Sequence, residues 1–262
     1  MNTVVKVLKY QARDAIRSRW LIAYALFFLV VTDALLRFSG DPVKAQLSLV
    51  SIVLFVVPLI AIVFGTVYLY NAREFIELIL AQPVDRRQTY CGLYLGLTLP
   101  LIVAFAVGLS APFLLNGLDA AAWGRLAALI VAGTVLTCVF TGIATSIAVK
   151  CEDRLRGLGA AIGVWLLVTI VYDGLVLLVL AVLADFPLER ATLGLMMANP
   201  IDIARVGLLL RFDGAAMMGY TGAVFLTFFS GATGMIVATL ALAAWIIAPI
   251  AFGVRVFQRK DF

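Results

Sequence analysis

Two pairs of adjacent methionines stand out as groups that could bind a metal in a chain that contains no histidine. Met196–Met197 and Met217–Met218 supply four of the six methionines. A thioether sulfur is a soft ligand that suits Cu(I). Neighbouring residues on a helix point about 100° apart, so a single doublet is poorly placed to give two ligands to one ion. The doublets therefore have two interpretations. They could contact a soft metal if they converge across a dimer, or they could simply pack against other side chains.

An acid within an apolar run is the second chemical feature. Asp173, preceded by Tyr172, falls near the middle of the apolar stretch at 158–183. A carboxylate at that depth costs several kcal/mol unless it is paired, protonated or facing water. Three interpretations follow: a polar latch between helices in which Tyr172 donates a hydrogen bond, a cation or proton pathway, and half of an aspartyl intramembrane protease. The protease would need a second catalytic acid in a G-x-G-D setting, which the sequence lacks.

Several enzyme classes are excluded by residues that the sequence lacks. Without histidine there is no histidine-ligated haem, no HExxH zinc site and no Ser-His dyad. No GxxxxGK[ST] segment is present to cradle a nucleotide. The three cysteines show no CxxC spacing. These sites are therefore excluded, and with the aspartyl protease as the remaining enzymatic alternative we predict a non-catalytic chain that binds no cofactor itself.

The composition places the chain in a membrane. Hydrophobic residues make up 64% and charged residues 13%, against about 25% charged in soluble domains. A length of 262 residues suits one bundle of about six helices. We predict an all-α integral membrane protein with a single domain over residues 1–262. Basic residues at membrane edges account for the net charge of +5 without nucleic acid as a partner.

Apolar stretches and charges also predict the topology. The expected spans lie at about 20–38, 47–70, 90–115, 124–149, 158–183 and 231–254. Residues 2–19 read as an amphipathic helix at the lipid interface, and a helical outer segment separates spans five and six. Fourteen of the twenty Lys and Arg residues fall on the side that holds both termini. The positive-inside rule therefore places both termini in the cytoplasm.

The outer segment carries charges of both signs. Asn199-Pro200 predicts the start of a helix that reaches about Leu210, and Asp202 and Arg205 lie one turn apart on it. A local ion pair of this kind contributes only tenths of a kcal/mol. The two side chains therefore serve either as contacts for a periplasmic protein or as part of a solvated face.

The segment from 71 to 96 is the most charged stretch in the middle of the chain. Arg73, Glu74 and Glu77 alternate with apolar residues, including Leu78 and Leu80, which predicts a short helix at the membrane surface with acids near its start. Pro83 ends this helix, and Arg86 follows where the chain re-enters lipid. The pattern is typical of a docking site for a soluble partner, and an ordinary polar connector is the alternative.

The same loop resembles that of the type-2 ABC exporter permeases. The matching residues are Glu77, Leu78, Leu80, Pro83, Val84, Arg86, Gly92, Leu95 and Gly96. The resemblance implies that the loop docks a separate cytoplasmic ATPase, which binds ATP and Mg²⁺, and that two copies of the chain form one transporter. A Glu-Gly-Thr element that often precedes this motif is replaced here by residues 73–76.

Three other segments resemble the permeases of copper-processing ABC systems that support nitrous oxide reductase maturation. They are RGLGAAIGVWLLVTIVYDG at 156–174, NPIDIARV at 199–206 and MGYTGAVF at 218–225. This resemblance implies a periplasmic copper-processing partner, copper as cargo and a role in denitrification, in assembling the copper-sulfur centre of the reductase. Either a solute crosses between the two protomers, with copper, a sulfur species and a lipid-like molecule as candidates, or motion of the permease reshapes the external partner. A secondary transporter that couples protons through Asp173 is the main alternative.

Overall fold

The computed structural model describes residues 3–116, 120–182, 189–212 and 232–259, which are helical apart from short connections. The helices are α1 (Thr3–Arg17), α2 (Arg19–Ser39), α3 (Pro42–Asn71), α4 (Arg73–Leu80), α5 (Arg86–Asn116), α6 (Ala120–Lys150), α7 (Arg154–Leu166), α8 (Tyr172–Val182), α9 (Glu189–Met197), α10 (Pro200–Arg211) and α11 (Ala232–Arg259). One π-helical segment, Leu167–Val171, joins α7 to α8. No strand occurs in these ranges.

Six of these helical stretches are long and apolar enough to cross a membrane. They are Arg19–Ser39, Pro42–Asn71, Arg86–Leu115, Ala122–Lys150, Arg154–Val182 and Thr233–Arg259. The prediction of an all-α membrane protein with six spans is thus confirmed. The structure also contains the N-terminal amphipathic helix and, as α9 and α10, the helical segment between spans five and six.

Local sequence signals explain where several helices begin and end. Gly40, with a φ of 63°, ends α2 in the left-handed conformation that glycine adopts without strain. The Asp41 carboxylate then accepts a hydrogen bond of 2.8 Å from the Val43 amide and caps α3, which has Pro42 in its first turn. Asp153 caps α7 in the same way, with its carboxylate accepting from the amides of Leu155 and Arg156.

Spans one to four form the packed centre of the bundle. Phe28 of α2 and Phe105 of α5 are fully buried and meet edge to face with ring centroids 5.0 Å apart. A Cβ added to Gly108 would lie 2.5 Å from the Ala25 carbonyl oxygen, so glycine is what lets α2 and α5 approach this closely. Thr98 and Thr141, whose hydroxyls are 3.0 Å apart, join α5 to α6.

Spans five and six are much less covered. In the apolar windows of these two spans 11% and 6% of residues are buried, against 56% in span four. Leu177, Leu178 and Leu240 are more than 60% exposed. Lipid or a second protein chain must cover these faces in a membrane, because exposed leucines of this kind favour an apolar surrounding.

The two ends of the bundle carry different short elements. At the first, called the α4 end, lie α1, α4, the connection 151–153 and the end of α11: Tyr10 of α1 stacks on Phe75 of α4 with ring centroids 4.4 Å apart. At the opposite, α10 end, lie α9, α10 and the starts of α3 and α6. There the Gln46 side chain accepts a hydrogen bond of 2.8 Å from Arg125. The molecule thus offers two separated candidate sites, one at each end.

Candidate docking surface and polar cluster

Helix α4 is an amphipathic helix of eight residues that presents charged and apolar groups outward. Its Ile76 side chain is buried in a small apolar cluster with Val7, Tyr90 and Phe257. Glu74 and Glu77 are exposed, and Leu78 is 70% exposed. Glu74 lies in the first turn, where the helix dipole favours a negative charge.

Arg73, predicted as a docking contact, bonds within the chain. Its guanidinium donates a hydrogen bond of 2.9 Å to the Glu152 carbonyl oxygen and lies 3.5 Å from the Glu77 carboxylate. One turn before, the Tyr70 hydroxyl donates to the Cys151 carbonyl oxygen at 2.9 Å. These contacts attach the start of α4 to the connection between spans four and five, so Arg73 fixes the position of α4.

The connection between spans four and five adds a residue that the sequence analysis missed. Leu155 lies in the first turn of α7 and is 80% exposed. The amides of Leu155 and Arg156 donate to the Asp153 carboxylate, and these bonds lower the pKa of that carboxyl below its usual value. An exposed leucine directly after a charged loop is the signal that could have pointed to it. Leu155 is thus a second exposed leucine at the α4 end of the bundle.

The remaining predicted docking residues have structural roles in the same loop. Leu80 is half-buried against the cluster that holds Ile76. Pro83 is exposed in the non-helical stretch after α4. Arg86 opens α5, and its guanidinium donates to the Gln258 carbonyl oxygen at 3.3 Å. The loop is therefore connected to the end of α11 as well as to α7.

At the α10 end, one arginine joins two acids that the sequence analysis treated separately. The Arg205 guanidinium lies 2.8 Å from the Asp202 carboxylate on its own helix and 2.9 Å from the Asp173 carboxylate of α8. The side chains of Asp202, Asp173 and Arg205 are 14%, 32% and 35% exposed. The predicted local pair thus exists, but it is part of a cluster that links α10 to span five.

Two further hydrogen bonds connect span five with α9 and α10. The Tyr172 hydroxyl donates to the Leu195 carbonyl oxygen of α9 at 2.5 Å. The buried Asn199 side chain caps α10 by accepting from the Ile201 amide at 2.9 Å, and its amide donates to the Val168 carbonyl oxygen at 2.9 Å. Together with Arg205, these contacts attach the outer helices to span five at three points.

The π-helical segment helps to place these partners. Val168 lies inside it, and Tyr172 and Asp173 follow it directly. A π turn contains one more residue than an α turn, so every side chain beyond it is rotated about the helix axis relative to a regular helix. The segment therefore sets which face of α8 carries Tyr172 and Asp173.

Burial changes the acidity of Asp202. Burial raises the pKa of the Asp202 carboxyl to about 6, an effect that the Arg205 guanidinium opposes and the neighbouring Asp173 carboxylate reinforces. The cluster holds one cation and two acids, so it carries net negative charge when both acids are ionised. Protonation of Asp202 near pH 6 makes the cluster neutral.

A cleft of about 330 Å³ lies beside this cluster. Its walls come from α3, span five and α10, and they combine apolar side chains with the Asp173–Arg205 ion pair. The lining residues are Leu47, Val50, Ser51, Leu54, Phe55, Thr169, Asp173, Ile201, Arg205 and Leu209. The Thr169 hydroxyl is buried without a hydrogen-bond partner among the described residues.

The predicted soft-metal residues fall partly within the described ranges. Met196 is 5% exposed and packs with Ile203, Val206 and Ala238 in an apolar cluster between α10 and α11. Met197 is half-buried at the edge of that cluster. Met217 and Met218 lie outside the described residues. For the first doublet, packing is the interpretation that the contacts favour.

The bundle, its amphipathic N-terminal helix and the short surface helix between spans two and three define a membrane permease of the ABC-transporter type. The chain belongs to the ABC-2 family of transporter proteins, whose sequence profile matches residues 5–262. It is also similar to two proteins described as probable ABC transporter permease protein NosY. The one from Stutzerimonas stutzeri is 29% identical and the one from Pseudomonas aeruginosa strain PAO1 is 28% identical, each with 99% of both chains covered. This protein is accordingly the permease subunit of an ABC transporter.

Proposed function

We propose that this permease forms a homodimer in the bacterial inner membrane and couples ATP hydrolysis by a cytoplasmic partner to copper handover on the periplasmic side. The handover serves assembly of the copper-sulfur centre of nitrous oxide reductase. The resemblance of residues 156–174 and 199–206 to copper-processing permeases, together with the NosY-named relatives, supports this proposal. ATP and Mg²⁺ bind in the partner, and copper is the cargo.

The observation that carries the coupling step is the surface at the α4 end. Glu74, Glu77 and Leu78 project from α4, and Leu155 extends the same end of the bundle. A surface that combines exposed leucines with charges suits a protein partner, because buried leucines contribute affinity and charges set orientation. The ATPase therefore docks here, with both termini on the same, cytoplasmic side.

The route for motion runs along span two. Helix α4 follows α3 with only Ala72 between them, and α3 extends across the bundle to the cleft beside α10. Leu47 and Leu54 of α3 line that cleft, and Ile201 and Leu209 of α10 line it as well. A rigid shift of α3 driven from α4 would change the cleft and move α10. The outer helices then present this change to a periplasmic copper-processing protein.

The alternative in which Asp173 carries protons has less support. Its carboxylate is held at 2.9 Å by Arg205, which also pairs with Asp202. A carboxylate held in this way has a structural role as a connection between helices, the latch that the sequence analysis considered.

Co-purification tests the docking step. We expect an ATPase to copurify with the tagged chain in mild detergent, and Leu78→Asp to abolish this, because a carboxylate would be buried against the partner. Leu115→Asp is the matched control, since Leu115 is 87% exposed at the other end of the bundle and should leave the ATPase bound. Absence of any ATPase with the native chain would contradict the proposal.

A second measurement tests the copper step. In cells that lack the native chain, we expect nitrous oxide reductase to accumulate without its copper-sulfur centre while total cell copper stays constant. The native chain should restore the centre, and Leu78→Asp should not. A change in cell copper with a complete reductase would identify copper export instead, and it would contradict the handover.

A further inference from the structure

Helix α1 has one face fixed to the bundle and an opposite face whose described side chains are mostly exposed. Val7, Gln11 and Ala15, at 4%, 1% and 0% exposure, lie against the bundle. A Cβ added to Gly96 of α5 would lie 2.6 Å from the Gln11 Cβ and 3.3 Å from the Leu8 carbonyl oxygen. This close approach fixes the rotation of α1 about its axis, and therefore which residues point away from the bundle.

The outward face carries four cations. Lys9, Arg13 and Arg17 recur at intervals of four residues and are exposed, and Arg19 follows at the start of α2. Among the described residues, none of the four makes an ion pair. The single acid of α1, Asp14, instead accepts a hydrogen bond of 2.9 Å from the Tyr68 hydroxyl. With four cations and one acid, this part of the chain therefore carries net positive charge.

Apolar side chains lie among these cations. Tyr10, Ile16 and Trp20 are 57%, 58% and 74% exposed. Aromatic and aliphatic side chains interleaved with Lys and Arg are typical of helices that lie in the headgroup region of a bilayer. A soluble nucleic acid or an acidic protein would match the charge but not these exposed apolar groups beside the first span.

The same helix contacts the docking segment directly. The Tyr10 ring stacks on the Phe75 ring of α4, with centroids 4.4 Å apart and planes 14° apart. The Tyr68 hydroxyl, near the end of α3, also lies 2.6 Å from the side-chain oxygen of Gln11. Helix α1 therefore contacts both α3, through Tyr68, and α4, through Phe75. Holding α1 in place would restrain the end of α3 and the start of α4 together.

We propose that the outward face of α1 binds anionic phospholipid headgroups, and that this binding orders α4 through the Tyr10–Phe75 stack. The inference rests on α4 being the ATPase-docking helix, as proposed above. Each Lys or Arg in a cluster on an amphipathic helix raises the affinity for anionic lipid about fivefold. The lipid composition of the leaflet would then set how readily α4 adopts its docking position.

The first arm of the test measures lipid binding on the chain alone, so it does not depend on any ATPase. The chain is reconstituted in nanodiscs of phosphatidylcholine, with and without phosphatidylglycerol, and bound phosphatidylglycerol is quantified by native mass spectrometry. The triple change Lys9→Gln, Arg13→Gln and Arg17→Gln should weaken this binding at least about tenfold. The matched triple change Arg37→Gln, Lys44→Gln and Arg211→Gln, at the α10 end, should change it less than about twofold.

The second arm measures the order of α4 by amide hydrogen exchange in the same nanodiscs. Phosphatidylglycerol should slow exchange across residues 75–80 of the native chain severalfold. Tyr10→Ala should keep lipid binding and lose this slowing, whereas Tyr10→Phe, which retains the ring, should keep both. The inference would be overturned if the α1 triple variant bound phosphatidylglycerol as tightly as the native chain, or if the α4 exchange rate were the same with and without phosphatidylglycerol. If phosphatidylglycerol binds and slows α4 exchange but no ATPase copurifies, the lipid inference stands and only the docking proposal is contradicted.

Discussion

The two ends of the bundle each attach a short helix through one arginine, but they do so with different partners. At the α4 end, Arg73 donates to the neutral carbonyl of Glu152. At the α10 end, Arg205 holds two carboxylates, those of Asp173 and Asp202. Releasing Arg73 exposes a carbonyl that water can satisfy, whereas releasing Arg205 leaves two carboxylates in a partly buried site.

The two short helices also differ in how much of their surface is buried. Helix α4 buries one of its eight residues, Ile76, while α10 buries six of its twelve. A helix that buries little apolar surface has a low free energy of local unfolding, and a helix that buries more has a higher one. The comparison indicates that α4 can change position as a unit, and that α10 moves only together with the spans on which it packs.

Removing the arginine at the α10 end should have the largest effect. Arg205→Met leaves Asp173 and Asp202 without their cation. We expect it to lower the free energy of unfolding by about 2 kcal/mol, less than for a fully buried ion pair because these side chains are partly exposed. Denaturant titration in mild detergent measures this. Arg211→Met, an exposed arginine at the end of the same helix, should cost less than about 0.5 kcal/mol. Adding Asp173→Asn and Asp202→Asn to Arg205→Met should recover part of the loss; no recovery would mean that the cost came from packing.

Removing the arginine at the α4 end should have a smaller and local effect. Arg73→Met breaks the hydrogen bond to the Glu152 carbonyl, worth about 1 kcal/mol, and amide exchange should accelerate in α4 while global unfolding hardly changes. Arg87→Met, at an exposed position in the first turn of α5, is the control and should leave α4 exchange unaltered. A global loss as large as that of Arg205→Met would show that the two ends are attached equally strongly.

A pH dependence of stability should also appear at the α10 end. Burial raises the pKa of Asp202 to about 6, above the value of about 3.9 in an unfolded chain. The folded state therefore binds the proton more tightly, and the resulting stability is fully present below about pH 4 and is lost as the pH rises through about 6. Unfolding at several pH values should show that Asp202→Asn removes this trend from the native profile. An identical pH profile for the variant and the native chain would contradict the shift.

The helical elements and their order follow from local features of the sequence. The six spans, α1 and α4 follow from apolar runs and from the spacing of charges, and Asp41, Asp153 and Asn199 mark helix starts because a capping side chain bonds amides two or three residues away. The ion pairs Asp33–Arg37 and Asp202–Arg205 are also local, spanning a single turn. All of these depend on interactions between near neighbours, which a sequence displays directly.

Only the tertiary structure decided which distant residues meet. Arg205 reaches Asp173 across 32 positions, Arg73 reaches Glu152 across 79 and Arg86 reaches Gln258 across 172. The π-helical segment decides which face of α8 carries Asp173, and the close approach at Gly96 decides which face of α1 is outward. Such contacts depend on the rotation and depth of each packed helix. These are set by side-chain packing across the whole bundle, so spacing along the chain does not reveal them.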